Sequence, residues 1–94
     1  MAIRGFRCAD TQELFETGRS QRFGAIRKPA TRKLGMLDAA TVLQDLASPP
    51  GNRLEPLTGD RAGQHSIRIN RQWRVCFVWT EAGPVDVEIS NHYD

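Results

Sequence analysis

Two arginines on neighbouring predicted strands are the residues best placed to do chemistry. Residues 65–70 and 73–79 alternate apolar and polar side chains, which is the pattern of strands with one buried face, and a two-residue turn joins them. If the apolar side chains face the core, Arg68 and Arg74 both point to the opposite face. Two guanidinium groups held side by side repel each other unless they share an anion. The pattern therefore predicts an anion-binding sheet face, although an ordinary cross-strand salt bridge is the alternative.

The shared anion can be a carboxylate, from Glu55 or Glu88, or a bound phosphate. A phosphate would suit the cleavage of RNA by transesterification, because cations can hold the charge that develops on the phosphate. The reaction also needs a base that takes the 2′-OH proton and an acid that protonates the leaving 5′-oxygen. It requires no metal and no cofactor, since the nucleophile belongs to the substrate.

Four residues could supply the base and the acid, namely Glu55, His65, His92 and Tyr93. His65 falls on the core side of the alternation, which favours a structural role. His92 and Tyr93 stand at the chain end, where a frayed tail is the ordinary expectation.

The spacing of cysteine and histidine favours neither a disulfide nor a metal site. Cys8 and Cys76 could pair, but a chain with two cysteines and no secretory signal more often keeps free thiols. Together with His65 and His92 they form none of the close ligand pairs that structural zinc sites use.

Positive charge is concentrated in two regions, although the formal net charge is only +2. Residues 19–33 contain basic side chains and no acidic one, and arginines outnumber carboxylates over residues 53–74. Such clustering predicts contact with phosphates or with an acidic partner, and a solvated charged helix surface is the alternative. The candidate RNA- and ribosome-binding residues are Arg19, Arg22, Arg27, Lys28, Arg32, Lys33, Arg61 and Arg71.

Apolar spacing predicts the N-terminal elements that must position these side chains. A short first strand is predicted near residues 3–8, and a helix over 11–16 with Asp10 as its N-cap and Gly18 as its end. A second helix is predicted over 26–46, because apolar residues recur at three- and four-residue steps. Pro29 fixes its start, since proline is accepted only in the first turn.

The remainder reads as hairpin-linked strands, over residues 54–57, 65–70 and 73–79 and a last strand carrying Val85, Val87 and Ile89. The sequence therefore predicts one α+β domain over residues 1–94, with two N-terminal helices on one face of a small, mainly antiparallel twisted sheet. No segment resembles a signal peptide or a membrane span, so we expect a cytoplasmic location and no membrane partner.

The central block of the chain resembles a known family. Residues 49–70, PPGNRLEPLTGDRAGQHSIRIN, resemble the plasmid-maintenance killer proteins of the HigB family. The segments QWRVCF at 72–77 and DVEI at 86–89 strengthen the likeness. The segments FRC at 6–8, RKL at 32–34 and MLDAA at 36–40 look like the same group, so the resemblance covers nearly the whole chain.

This resemblance implies the RelE-like fold of the RelE/ParE superfamily and a cytoplasmic type II toxin–antitoxin system. It further implies ribosome-dependent cleavage of mRNA in the decoding site, with inhibition of translation and growth arrest. The implied partners are the ribosome with its mRNA and a HigA-like antitoxin that carries a helix-turn-helix domain. The toxin would contact operator DNA only through this antitoxin. The basic segments would then meet ribosomal RNA phosphates.

The resemblance also implies roles for individual residues. Arg74 looks like the family's sheet arginine that contacts the scissile phosphate, and Arg68 lies beside it. Thr58 stands where a lysine often follows the Pro-Leu pair, and Glu55 stands where some relatives have a histidine. Glu55 could act as a base or be an inert surface carboxylate.

The C-terminus departs from the family pattern. Many relatives end in Asp-Tyr-His, whereas this chain ends in Asn91-His92-Tyr93-Asp94. Asn91 cannot take a proton as an aspartate can. His92 and Tyr93 keep residue types suited to acid–base catalysis, in exchanged order.

Two other functions are compatible with this fold, because activity depends on side chains grafted onto it. One is a ParE-like poison that binds DNA gyrase without doing chemistry. The other is a weakened or inactive toxin that mainly binds its antitoxin as a co-repressor, which Thr58 and Asn91 favour. The Arg68/Arg74 pair and the His92/Tyr93 terminus favour RNA cleavage.

Overall fold

A four-stranded antiparallel sheet carries two helices on one face in the computed structural model, which describes residues 2–91. The helices are α1, Ala9–Thr17, and α2, Arg27–Ala39. The strands are β1, Glu55–Pro56, β2, His65–Arg68, β3, Arg74–Thr80, and β4, Gly83–Ser90, in the spatial order β1-β2-β3-β4. The predicted α+β architecture is confirmed, and the observed strands overlap the four strands predicted after residue 53. Within residues 2–91, no helix has the length and the apolar run that a membrane crossing requires.

The N-terminal segment accompanies β4 without forming the strand predicted near residues 3–8. Phe6 makes one isolated parallel bridge with Val87. The Arg7 N–H donates to the Val87 carbonyl at 3.0 Å, and the Val87 N–H donates to the Gly5 carbonyl at 3.2 Å. The segment therefore lies against β4 and adds only this single bridge to the sheet.

Helix α1 starts earlier than predicted. It begins at Ala9, and its N-cap is Cys8, which makes no side-chain capping hydrogen bond, so the prediction of Asp10 as N-cap is wrong. Asp10 lies in the first turn, where a carboxylate is favoured by the helix dipole, and it pairs with Arg22 at 3.3 Å. The predicted end at Gly18 is confirmed, with the left-handed φ of 73° that glycine adopts readily.

Helix α2 ends at Ala39, seven residues short of the predicted Leu46 (46 − 39). The Asp45 carboxylate accepts hydrogen bonds from the backbone N–H groups of Thr41 and Val42, at 2.9 and 3.2 Å. Those donors are thereby diverted from α-helical bonds, and a separate 3-10 turn, Leu43–Ala47, follows. Leu46 is nevertheless buried, because this turn folds back onto the core.

The hydrogen bonds to Asp45 give a pH-dependent contribution to stability. They hold the pKa of Asp45 below its ordinary value of 3.8. A carboxyl whose pKa is lower in the folded state stabilises the protein above its unfolded-state pKa, and this contribution is lost as the pH falls through the folded-state pKa. We therefore expect the destabilisation caused by Asp45→Asn, measured by urea unfolding, to shrink between about pH 6 and about pH 3. A destabilisation that is constant over this range would contradict the assignment.

The core lies between the helices and one face of the sheet. Thr11 in α1 accepts a hydrogen bond from the Ile89 N–H at 3.0 Å, which ties the helix to β4 inside the core. Fully buried apolar side chains come from both helices and three strands, and they are Leu14, Ala30, Leu34, Leu37, Ile67, Val75, Phe77 and Val87. The opposite face of the sheet carries Ser66, Arg68, Arg74, Cys76 and Glu88.

Candidate functional site

The strand register places the two predicted arginines side by side. Arg68 in β2 and Arg74 in β3 are direct cross-strand partners, and their strand neighbours Ile67 and Val75 are fully buried against the helices. The prediction that both arginines lie on the face away from the helices is confirmed. Directly paired side chains in an antiparallel sheet have Cβ atoms about 5 Å apart, so one anion can reach both.

Arg74 is fixed at the floor of this face. The residue is only 6% exposed. Its Nε donates to the Ser66 hydroxyl at 2.7 Å, and its Nη2 donates to the Arg53 carbonyl at 2.8 Å. Nη2 also lies 3.2 Å from the Glu55 carboxylate, whose side chain is 51% exposed. Of the two carboxylates predicted as partners, Glu55 therefore meets Arg74.

Four arginines and one asparagine line a cleft of about 350 Å³ on this face. Arg53, Arg68 and Arg71 form no ion pair with a carboxylate of residues 2–91. Arg68 directs its Nε to the Asn70 carbonyl at 3.0 Å. We call these four arginines and Asn70 the arginine cleft; such a concentration of guanidinium groups suits a multiply charged anion such as a nucleic-acid backbone.

The β2–β3 turn positions Arg71 in the cleft. The Asn70 side-chain oxygen accepts hydrogen bonds from the N–H groups of Gln72 and Trp73, at 2.9 and 2.8 Å. This is the turn geometry that asparagine favours, and it aligns the residues between the two strands. Arg71 was predicted as an RNA-binding residue; its place in the arginine cleft is compatible with that role.

Sequence reasoning did not single out Arg53 or Asn70. Arg53 follows a one-turn 3-10 helix, Pro50–Asn52, and adopts φ 47°. The sequence around an arginine that follows a turn has no alternation of apolar and polar residues that would assign it to one face of a sheet. Its membership of the arginine-rich stretch 53–74 was the one available signal.

Arg61 and Glu88 pair with each other across the sheet. Arg61 Nη1 lies 2.8 Å from a Glu88 carboxylate oxygen, and the same nitrogen donates to Gln64 at 3.0 Å. The hydrogen bond that Arg61 donates to the Glu88 carboxylate raises the pKa of Arg61. Glu88 is therefore the partner of Arg61 rather than of the Arg68/Arg74 pair.

The predicted basic residues of the N-terminal half fall into two groups. Lys33 is half-buried, its Nζ donates to the Asn52 side chain at 2.6 Å, and burial lowers its pKa. Arg22 pairs with Asp10 and lies 4.9 Å from the centre of the Phe23 ring. The others are exposed and form no ion pair within residues 2–91; they are Arg19, Arg27, Lys28 and Arg32.

The candidate acid–base residues lie in different places. His65 stacks on Phe77 with ring centres 6.4 Å apart, on the core side of the sheet, which agrees with the structural role expected for it. Glu55 reaches Arg74, as described above. Asn91 is exposed, whereas His92 and Tyr93 lie outside the described residues.

The thiols and the metal-binding residue types form no site in the described part of the chain. Cys8 and Cys76 are free, and burial raises the pKa of the Cys76 thiol. Within residues 2–91, no group of three histidine, cysteine or carboxylate side chains is placed to hold a metal ion.

Comparison with known proteins identifies the family. A model of the RelE-like toxins of type II toxin–antitoxin systems of the HigB type matches residues 6–93. Toxin HigB-1 of Vibrio cholerae serotype O1 is 36% identical over 83 residues, which cover 86% of this chain and 87% of that toxin. An uncharacterized protein of Haemophilus influenzae is 42% identical over 50 residues, 53% of this chain and 50% of that protein.

A solved structure supports the fold independently. A YoeB/ParE toxin from Agrobacterium tumefaciens superimposes with a TM-score of 0.56, covering 99% of this chain and 100% of that one. At 23% identity, this likeness bears on the fold alone. With the family match over nearly the full length, the chain belongs to the HigB-like family of RelE-like toxins of type II toxin–antitoxin systems.

Proposed function

We propose that this toxin is an endoribonuclease that cleaves messenger RNA on the ribosome and thereby inhibits translation. The observation that carries the proposal is the fixed position of Arg74 among three further arginines in one cleft. A cation held in place before the reaction stabilises the charge that develops on the phosphate without reorganising first. A toxin that acted only by binding would not need this arrangement.

Glu55 is the proposed general base. Its carboxylate lies next to Arg74, and its side chain is half exposed, so a ribose 2′-OH can approach it. The base takes the 2′-OH proton, the 2′-oxygen attacks the phosphorus, and the bond from phosphorus to the 5′-oxygen breaks. The products are a 2′,3′-cyclic phosphate and a 5′-OH, and Arg68 and Arg74 hold the phosphate throughout.

The leaving 5′-oxygen must receive a proton. We propose that His92 or Tyr93 supplies it, on the strength of the family resemblance and the residue types alone. The neighbouring Asn91 can donate a hydrogen bond to the substrate but cannot exchange a proton.

The exposed basic residues are the proposed contacts with ribosomal RNA. Arg27, Lys28 and Arg32 project from α2, and Arg19 precedes that helix. Phosphate contacts of this kind supply most of the affinity for nucleic acid and carry no sequence information. They would bring the toxin to the ribosome, which presents the mRNA strand to the arginine cleft.

Membership of a type II system implies an antitoxin partner. We propose that it is a HigA-like protein with a helix-turn-helix domain, that the complex reaches operator DNA through it, and that the toxin acts in the cytoplasm.

The experiment that tests the proposed function is expression of the toxin without its antitoxin, followed by mapping of mRNA 5′-ends. We expect growth arrest together with new 5′-ends inside translated regions, and their loss when ribosomes are kept off the message. Arrest with intact mRNA and broken chromosomes would instead indicate a gyrase poison. Growth without arrest would indicate an inactive toxin that serves as an antitoxin-binding co-repressor.

A further inference from the structure

We propose that Arg53 binds a second phosphate beside the one on Arg74, so that the arginine cleft holds two consecutive phosphates of single-stranded RNA. This inference rests on the proposed function, because it concerns the substrate of the same cleft.

The backbone of Arg53 lies in the left-handed region, at φ 47°. Residues with a side chain rarely adopt it, since the Cβ atom crowds the backbone, and glycine adopts it freely. Four of the six residues with positive φ within residues 2–91 are glycines, and Asp86 is the other exception. Glycine at this position would relieve the strain. An arginine that is held in a strained conformation is a candidate for a functional side chain.

The backbone carbonyl and the side chain of Arg53 have different roles. Its carbonyl accepts the hydrogen bond from Arg74 Nη2 at 2.8 Å, and any residue with this backbone would provide that bond. Its side chain is exposed, lines the arginine cleft and pairs with no carboxylate of residues 2–91. The guanidinium is therefore available to a ligand that approaches Arg74.

The charge of the cleft exceeds what one phosphate can neutralise. Each phosphodiester carries one negative charge, whereas the cleft presents four guanidinium groups and the Glu55 carboxylate at its edge. Arg68 and Arg74 are cross-strand neighbours and can share the scissile phosphate. Arg53 and Arg71 are the two exposed arginines of the cleft, and they remain for the adjoining phosphate.

The test is the salt dependence of binding to a fluorescent 2′-O-methyl RNA hexamer, which cannot be cleaved because its 2′-oxygens are methylated. Each phosphate contact on a single strand contributes about 0.7 to the slope of log K against log salt. Arg53→Gly keeps the left-handed backbone and the carbonyl but removes the guanidinium, so we expect the slope to fall by about 0.7. Arg53→Lys keeps the charge and should retain most of the slope.

Arg4→Gln is the matched control for the loss of one exposed positive charge. The Arg4 N–H donates to the Pro84 carbonyl, at the end of β4 opposite Ser90 and the cleft, about 20 Å away for six residues of strand. We expect this variant to leave the slope unchanged. The Tm of Arg53→Gly should equal or exceed that of the wild type, because the backbone strain is relieved while the side chain is lost.

An unchanged slope in Arg53→Gly, or a wild type that does not bind the hexamer, would overturn the inference. A fall in Tm that accompanies lost binding in both Arg53 variants would also overturn it, since it would make Arg53 a folding residue. A wild type that leaves mRNA intact on the ribosome, while Arg53→Gly still lowers the slope, would reject the proposed function and keep this inference. Normal mRNA cleavage by the wild type, together with an unchanged slope in Arg53→Gly, would keep the proposed function and reject this inference.

Discussion

Replacing Arg74 by methionine is expected to lower the rate of mRNA cleavage on programmed ribosomes by about 10²–10³-fold, the usual effect of removing one preorganised charge-stabilising donor. The guanidinium is held by Ser66, by the Arg53 carbonyl and by Glu55. Methionine keeps an unbranched apolar stem at this buried position but carries no charge. The measurement is single-turnover cleavage at saturating toxin, so that weaker binding to the ribosome does not enter the rate.

Arg74→Lys and Arg71→Gln are the controls for this prediction. Lysine keeps the charge but presents one ammonium instead of a planar fork, so it cannot reproduce the contacts with Ser66 and Arg53 together, and we expect an intermediate rate. Arg71→Gln removes a charge from the same cleft at an exposed position and should affect binding more than the single-turnover rate. A folded Arg74→Met protein that cleaves at the wild-type rate would exclude Arg74 from the chemistry.

Replacing Asn52 by alanine is expected to destabilise the fold by about 3 kcal/mol, since buried polar groups lose their partners. Asn52 is fully buried; its Nδ2 donates to the carbonyls of Leu46 and Ser48, and its Oδ1 accepts from Lys33 at 2.6 Å. Alanine leaves the half-buried Lys33 ammonium without this acceptor. For a domain of this size, the change corresponds to a fall in Tm of more than about 10 °C.

A double-mutant cycle with Lys33→Met checks the physical reason. If the ammonium left without its acceptor causes much of the loss, Lys33→Met should recover part of the stability of Asn52→Ala, so the two effects will not add. Additive effects in urea unfolding would contradict the assignment. Because Asn52 directly precedes Arg53, we also expect its loss to loosen the carbonyl that holds Arg74 and to reduce cleavage at temperatures where the variant is still folded.

The sheet could be predicted from the sequence because its signal is local. The alternation of β2 and β3 fixes which side chains share a face, and one buried face fixes the register, so Arg68 and Arg74 were correctly placed together. Helix α2 was predicted too long because apolar spacing continues through Leu46. The spacing of apolar residues does not show that the Asp45 carboxylate accepts hydrogen bonds from backbone N–H groups, which ends the helix.

The candidate site could be predicted only in part, because it depends on contacts between distant segments. Arg61 and Glu88 are 27 residues apart, and the strand alternation does not predict that a loop brings them together. Arg53 reaches the cleft through a left-handed backbone conformation, and an arginine in the sequence does not predict that conformation. The acid–base residues proposed at the C-terminus still rest on the family resemblance.

The chemistry of the cut ends on a purified ribosome programmed with a short mRNA tests the proposed transesterification directly. We predict that the wild-type toxin leaves a 2′,3′-cyclic phosphate on one fragment and a 5′-OH on the other. We also predict that replacing the 2′-OH before the cut by hydrogen abolishes cleavage, because that oxygen is the nucleophile. Cleavage of the 2′-deoxy message at an undiminished rate, or no cleavage of the all-ribose message, would contradict it.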